Sequence, residues 1–374
     1  MTVRKEEMII TPWEVKGIVD YNKLVREFGV SLIDPDLYRR LEEKIGQNIY
    51  LQRKIFFAHR DLSWLLDEYE KGNKFYLYTG RGPGGDTHLG HLIPWLFTKD
   101  LQKKFKTKLY FQMTDDEKFL FKPELTLDKA HSFAYENALD VIAIGFDPKL
   151  TQIFSNIDYA KTLYPEALKI AKHLTFSTVK AVFGFDYEAN VGQIFFTAMQ
   201  SVPAFLESIK KGRNVPCLIP HAVDQDAHFR ICRDVAPKLG FYKPASIQCK
   251  FLPGLGKGGK MSASEPYTAI FTTDTAKQIE EKIMNAFTGG QVNIVKQRQL
   301  GGNPDICTVY QYLYFLFELD NREIENRYKE CKSGTLMCGE CKAVLVSRVQ
   351  RFLSEHQKRR EVAKRYIDKF FVKD

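Results

Sequence analysis

From residue 75 onward the chain alternates short, nearly continuous apolar runs with longer stretches whose apolar positions recur every three to four residues. The short runs at 75–79, 108–113, 151–155 and 216–219 predict strands buried on both faces. The longer stretches at 89–104, 127–144, 192–210 and 226–239 predict helices. Strands and helices in alternation make an α/β fold, a parallel sheet wrapped by helices that binds ligands at the carboxyl ends of its strands. After residue 264 the strand signals stop. The segments 273–287, 308–318, 322–332 and 339–374 predict an all-helical second domain, with the boundary near Asp274. Upstream, residues 1–60 hold an arm around Met8-Ile9-Ile10-Thr11-Pro12-Trp13 and a polar amphipathic helix near 36–44, which predict a strap or hairpin over the site. The expected division is therefore an arm with helices over 1–72, a sheet domain over 73–273 and a helical domain over 274–374.

Composition sharpens this picture in two ways. The chain has 374 residues, 44% apolar and 27% charged, enough for two domains with a sizeable core and free of any bias toward disorder or fibres. Its longest apolar run, residues 312–317, is far below the roughly 20 residues of a membrane helix, and its charged start is no secretory signal, so a cytoplasmic protein without membrane contact is expected. A net charge of +9 and a pI near 9.0 point to an anionic partner, because lysines and arginines that neutralise phosphates supply the salt-sensitive part of nucleic-acid affinity.

Candidate chemistry gathers at two places. The first strand runs through Tyr78-Thr79-Gly80-Arg81-Gly82-Pro83 into His88-Leu89-Gly90-His91 at the start of a helix. Backbone N–H groups and the dipole at such a start attract anions, and imidazoles one turn apart donate to phosphoryl oxygens. Gly90, between them, removes a side chain where a base and ribose would pack. Far downstream, Gly258-Gly259-Lys260-Met261-Ser262-Ala263-Ser264 sets a lysine and two small hydroxyls in a glycine-rich loop able to close over a phosphate.

These two elements resemble the HIGH and KMSKS signatures of the class I aminoacyl-tRNA synthetases. With Gln112-Met113-Thr114-Asp115-Asp116-Glu117-Lys118, Ala222-Val223-Asp224-Gln225-Asp226, Thr11-Pro12-Trp13 and Gly301-Gly302-Asn303, the likeness covers almost the whole chain and is closest to the tryptophanyl-tRNA synthetases of archaeal and eukaryotic type. The resemblance implies a Rossmann-type nucleotide-binding catalytic domain followed by a helical anticodon-binding domain. It also implies ATP with Mg2+, tryptophan and tRNA(Trp) as ligands, and a homodimer formed between Lys122 and Asn190. In its terms His88, His91, Lys260, Ser262 and Ser264 are catalytic, while Gly80, Arg81, Gly90 and Met261 bind ATP. Ala263 and Ser264 stand where the general motif has lysine then serine, as in the tryptophan branch, which leaves one cation fewer. The stretch Gly84-Gly85-Asp86-Thr87 looks one residue shorter than in the animal enzymes, so no ribose contact is carried over to Asp86.

Indole offers one N–H donor and a wide flat face, so a specific pocket needs a buried acceptor and apolar walls. Tyr78 and Gln112, at the ends of the first two strands, are expected to converge on that N–H. Glu117, Gln200 and Gln225 offer oxygens to the ammonium group, and Phe229 offers a wall. A tyrosine-specific enzyme would instead need an acid reading the phenol hydroxyl, and a relative without catalysis would not need His88, His91 and Lys260.

Two features stand apart. Cys307, Cys331, Cys338 and Cys341 form a C-x23-C-x6-C-x2-C set, close to that of bacterial members carrying a four-iron cluster. Such a set suits an iron–sulfur cluster or zinc, or equally small buried residues of a helical domain. Beside it, Asn303-Pro304-Asp305 lies where the resemblance places anticodon reading, with Asp305 the candidate for a base contact. The basic tail, including Lys358-Arg359-Arg360, predicts a solvated helix face.

Overall fold

The computed structural model describes residues 9–10, 15–16, 20–257, 261 and 266–374. Its strands are β1 (Ile9–Ile10), β2 (Val15–Lys16), β3 (Ser31–Leu32), β4 (Phe56–Arg60), β5 (Tyr76–Arg81), β6 (Leu109–Met113), β7 (Thr151–Ser155), β8 (Cys217–Ala222) and β9 (Ala245–Cys249). β1 and β2 pair antiparallel. The others make one sheet in the order β3-β4-β9-β8-β5-β6-β7. The five from β9 to β7 run parallel, while β4 and β3 extend the edge antiparallel. Because the chain goes from β5 outward to β7 and then returns to β8 on the other side of β5, the order reverses between β5 and β8. In sheets of this kind such a reversal marks where ligands bind, beyond the carboxyl ends of the strands.

Period-two alternation assigns each strand residue to one of two layers. Leu77, Leu109, Phe111 and Ile153 face a core shared with the Leu89–Phe105 helix and, at its far side, with Val309, Tyr312, Leu345 and Leu353 of the helical region. Tyr76, Tyr78, Tyr110 and Phe154 face the opposite layer, packed with Phe196, Leu206, Phe229 and Cys232. Gln112 follows Tyr110 by two and shares that second face.

The structure departs from the sequence reading at several elements. β4 and β9 add strands where none was expected, and β9 escapes notice because it buries Ser246 and Gln248 inside the sheet. Pro203 splits the predicted 192–210 helix into Val191–Met199, a 3-10 turn and Leu206–Lys211, since proline removes an N–H donor and clashes with the preceding turn. The basic tail keeps Lys358 and Arg359 exposed, as the solvated-face reading expects, while Arg360 turns inward and docks. Within the Cys338–Ala363 helix, His356 Nε2 lies 2.9 Å and Arg360 Nε 3.3 Å from Asp140 of the Leu127–Ile144 helix, and Arg359 donates to the Ala143 carbonyl. Beyond it the chain lies along β7, with Ile153 N–H donating to the Phe370 carbonyl and Val372 N–H to the Ile153 carbonyl.

Candidate active site

The phosphate end is built by β5 and the helix that follows. His88 caps the Leu89–Phe105 helix, and its backbone N–H donates to His91 Nδ1 at 3.2 Å. The two imidazoles stack with centroids 3.6 Å apart. A Cβ on Gly90 would come within 3.1 Å of the His88 ring and 3.4 Å of Met261 Sδ, so the bare glycine lets the buried Met261 reach the helix start. The segment leaving the lysine loop is tied to the same turn, Leu89 N–H donating to the Ile270 carbonyl and Thr272 N–H to the Thr87 carbonyl. Met261 is thereby brought beside the histidine pair, while Lys260, Ser262, Ser264 and Thr11-Pro12-Trp13 lie outside the described residues. Arg81 ends β5 with Nε donating to Asn137 Oδ1, and Asn137 Nδ2 in turn holds the Gly85 carbonyl. Burial lowers the Arg81 pKa to about 10 against the opposing fields of Glu117, Asp140 and Asp86, which leaves it cationic at neutral pH. Asp86 accepts from Thr273 Oγ1.

The amino-acid end lies on the aromatic face of the sheet. Register pairs Gly80 with Gln112, so Tyr78 and Gln112 are diagonal neighbours on one face. A Cβ on Gly80 would stand 2.8 Å from the Gln112 carbonyl, and the absence of one lets β5 and β6 close at this level. The Tyr78 hydroxyl lies 2.5 Å from Gln112 Oε1 and 2.9 Å from the Gln200 carbonyl, and accepts from Gln200 Nε2 at 3.0 Å. One hydroxyl proton therefore serves two acceptors, and the acceptor left over is suited to an incoming N–H. Phe229 packs edge-on against Tyr78, with centroids 5.9 Å apart. Burial holds the Tyr78 phenol far above its ordinary pKa, so it stays neutral.

Glu117 sits at the start of the Asp115–Phe121 helix, its Oε2 2.5 Å from Thr114 Oγ1 and its Oε1 2.8 Å from Lys118 Nζ. Burial opposes its ionisation, but Lys118, Thr114 and His228 outweigh it and hold the pKa below the usual carboxylate value. The Cβ that Gly82 lacks would fall 2.2 Å from Lys118 Cε, so the turn and this ion pair require each other. Burial pushes the neighbouring His228 down to about 4, making it neutral. Gln225 is half-buried, and no hydrogen bond joins its side chain to another described residue.

The structure thus brings together Tyr78, Gln112, Gln200 and Phe229 at one end, and His88, Gly90, His91 and Met261 at the other, with Arg81 and Glu117 between. The sequence reading missed Asn156, whose amide joins Gln112 to Asp116. Its signal was its place directly after β7, at the carboxyl end of a parallel strand. Asp226, which follows Gln225, is fully buried, paired with Arg60 and bonded to Gln248.

In the helical region Asp305 lies exposed on the Pro304–Ile306 turn, bonded to the Tyr328 hydroxyl at 3.1 Å. Among the described residues no three His, Cys, Asp or Glu side chains are placed to hold a metal ion. The four cysteines nevertheless gather: burial, then the fields of the other three, push the Cys331 thiol up to about 11. Gly302 N–H and Arg327 act in the opposite sense, on Cys331 and Cys341 respectively. Bare Cα atoms at Gly302 and Gly290 admit the sulfurs of Cys331 and Cys338.

The pattern of the class I tRNA synthetases for tryptophan and tyrosine matches residues 70–354. A tryptophan–tRNA ligase from Thermococcus sibiricus is 50% identical over 97% of this chain and 94% of its own, and one from Pyrococcus furiosus is 50% identical over 98% and 94%. Among solved structures, a tryptophanyl-tRNA synthetase from Encephalitozoon cuniculi bound to tryptophan superposes with a TM-score of 0.85 at 38% identity, over 95% of this chain and 98% of that one.

Proposed function

We propose residue roles for a chain that belongs to the class I tRNA synthetases for tryptophan and tyrosine and, within them, to the tryptophan–tRNA ligases. The enzyme activates tryptophan with ATP and transfers it to tRNA. Activation is attack of an already ionised carboxylate on the α-phosphorus, with pyrophosphate leaving, so the protein must align the two and stabilise charge growing on phosphoryl oxygens. His88 and His91 at the helix start, Arg81 at the end of β5, and Lys260 with Ser262 and Ser264 on the loop take that task. Gly80, Gly90 and Met261 shape the ATP side. Mg2+ travels with ATP and neutralises its phosphates.

Tyr78 and Gln112 read the indole N–H, Phe229 forms the wall, and Glu117, Gln200 and Gln225 face the ammonium group. The observation that carries this reading is the buried Tyr78–Gln112 pair, whose spare acceptor is an uncharged oxygen and not a carboxylate. Pyrophosphate exchange run with tryptophan and tyrosine in parallel tests it: tryptophan must be the faster, and a faster rate with tyrosine overturns it.

Residues 274–374 serve the tRNA anticodon through Asp305, which its exposure supports. A homodimer through 122–190 is supported by exposed Tyr164, Leu168 and Tyr187. No described helix is long and apolar enough to cross a membrane, and translation places the enzyme in the cytoplasm. For the cysteine set two readings stand. The convergence of the four sulfurs favours a site for an iron–sulfur cluster or zinc, and the net upward push that burial gives the Cys331 and Cys341 thiols favours packing thiols. Iron and zinc content of protein purified without oxygen decides between them.

A further inference from the structure

We propose that Asn156, anchored by Asp116, is a positioning residue that fixes which end of the Gln112 amide faces the substrate. The proposal rests on the reading of Gln112 as the indole acceptor. A glutamine side chain is nearly symmetric in shape, and its oxygen and nitrogen exchange places by a half turn. Only the oxygen accepts an indole N–H. With the nitrogen turned inward, two donors would meet in a dry pocket, and an unpaired buried donor is costly.

The polarity of the whole chain of groups is set from its far end. Asp116 Oδ1 accepts from Asn156 Nδ2 at 2.8 Å and from the Glu117 backbone N–H at 2.8 Å, and a proton taken up by this carboxyl sits on its other oxygen, so Oδ1 stays an acceptor. That use of its nitrogen turns the Asn156 oxygen toward Gln112, whose Nε2 donates to it at 2.8 Å. Gln112 Oε1 is thereby left on the side of the Tyr78 hydroxyl. Each amide spends one end on the neighbour nearer the carboxylate, so the direction passes from Asp116 through Asn156 to Gln112 without a free choice. Asn156 is itself held: its backbone N–H donates to the Met113 carbonyl at 3.0 Å and to Asp115 Oδ1 at 3.1 Å, and Asp115 is fixed by Ser155 Oγ at 2.6 Å and His131 Nδ1 at 2.8 Å. Gln112 and Asn156 are both buried, so water has little access to replace a lost partner. Asn156 stands one amide away from the substrate, which makes it a determinant of specificity without contact.

The test compares tryptophan with its benzothiophene isostere, 3-(benzothiophen-3-yl)alanine, which keeps the shape and lacks the N–H. In Asn156→Leu the KM for tryptophan in pyrophosphate exchange should rise by about tenfold, the scale of one buried hydrogen bond. The KM for the isostere and the KM for ATP should stay within about twofold, which is below the effect of any single such bond. Asp116→Asn, whose amide no longer dictates a direction, should shift the same ratio in the same sense by less, and it answers the question if Asn156→Leu does not fold. Equal losses for tryptophan and the isostere, or an unchanged ratio in both variants, overturn the relay. Wild-type enzyme that fails to prefer tryptophan over the isostere instead overturns the reading of Gln112, so the two failures are distinguishable.

Discussion

Gln112→Met keeps the length and approximate volume of the side chain while removing both amide ends. In the free enzyme it deletes the contact with the Tyr78 hydroxyl at 2.5 Å and the donation to Asn156 at 2.8 Å. The hydroxyl retains the Gln200 carbonyl at 2.9 Å as an acceptor, so its proton is not stranded, and the Asn156 oxygen is the group left without its donor. One unsatisfied buried acceptor costs about 1–3 kcal/mol of stability. With tryptophan bound, the indole N–H meets a thioether and loses its acceptor, again about 1–3 kcal/mol, or about 5- to 150-fold in kcat/KM at 1.36 kcal/mol per decade. The loss should fall on tryptophan and spare aromatic substrates without an N–H, so discrimination against phenylalanine should shrink by the same factor. Pyrophosphate exchange over a range of each amino acid gives both numbers. A change below about twofold in kcat/KM for tryptophan, less than any buried hydrogen bond is worth, would refute the assignment of Gln112 as the indole reader.

Three further outcomes follow from the same geometry. Lys260→Ala should lower adenylate formation by about 10²–10³-fold, the scale of losing one donor to developing charge, and an unchanged single-turnover rate removes the lysine loop from the mechanism. Asp140→Ala removes the partner of the buried His356, while Arg360 keeps Glu136, and should cost about 1–3 kcal/mol in urea unfolding; a loss below about 0.5 kcal/mol would mean that the contact is solvated. Burial, then the Asp115 charge, pushes Asp116 up to about 7. A carboxyl with a raised folded pKa stabilises most below its ordinary value of about 4 and loses that contribution as pH rises through 7. The urea midpoint of wild type should therefore fall between pH 5 and 8 relative to that of Asp116→Asn, and parallel curves would show that Asp116 ionises normally.

Local pattern sufficed for much of this protein. Alternating apolar runs gave four of the five parallel strands within a few residues, because a strand buried on both faces must be nearly all apolar whatever surrounds it. The histidine pair at a helix start and the glycine turn before it were legible for the same reason: anion binding there depends on backbone geometry that a few adjacent residues dictate. Tyr78 and Gln112 were legible as strand-end residues, and their convergence needed only that β5 and β6 be neighbours.

What the sequence left undecided depends on which surfaces meet. β9 buries Ser246 and Gln248, and the Gln248 amide nitrogen finds its acceptor in Asp226, which Arg60, distant in the chain, pairs. Within the basic tail the sequence marks every cation as solvent-facing, and Arg360 turns inward only because the Leu127–Ile144 helix presents Glu136 and Asp140 to it. Asn156 has no motif of its own. Its role arises only because β7 lies beside β6 and carries its amide to Gln112 with Asp116 behind. Periodicity and turn chemistry are written within a few residues of one another, whereas the pairing of buried polar groups is a property of elements brought together from across the chain. The fold and the candidate phosphate end are therefore in the sequence, and the direction of each hydrogen bond around Gln112 is decided by tertiary structure.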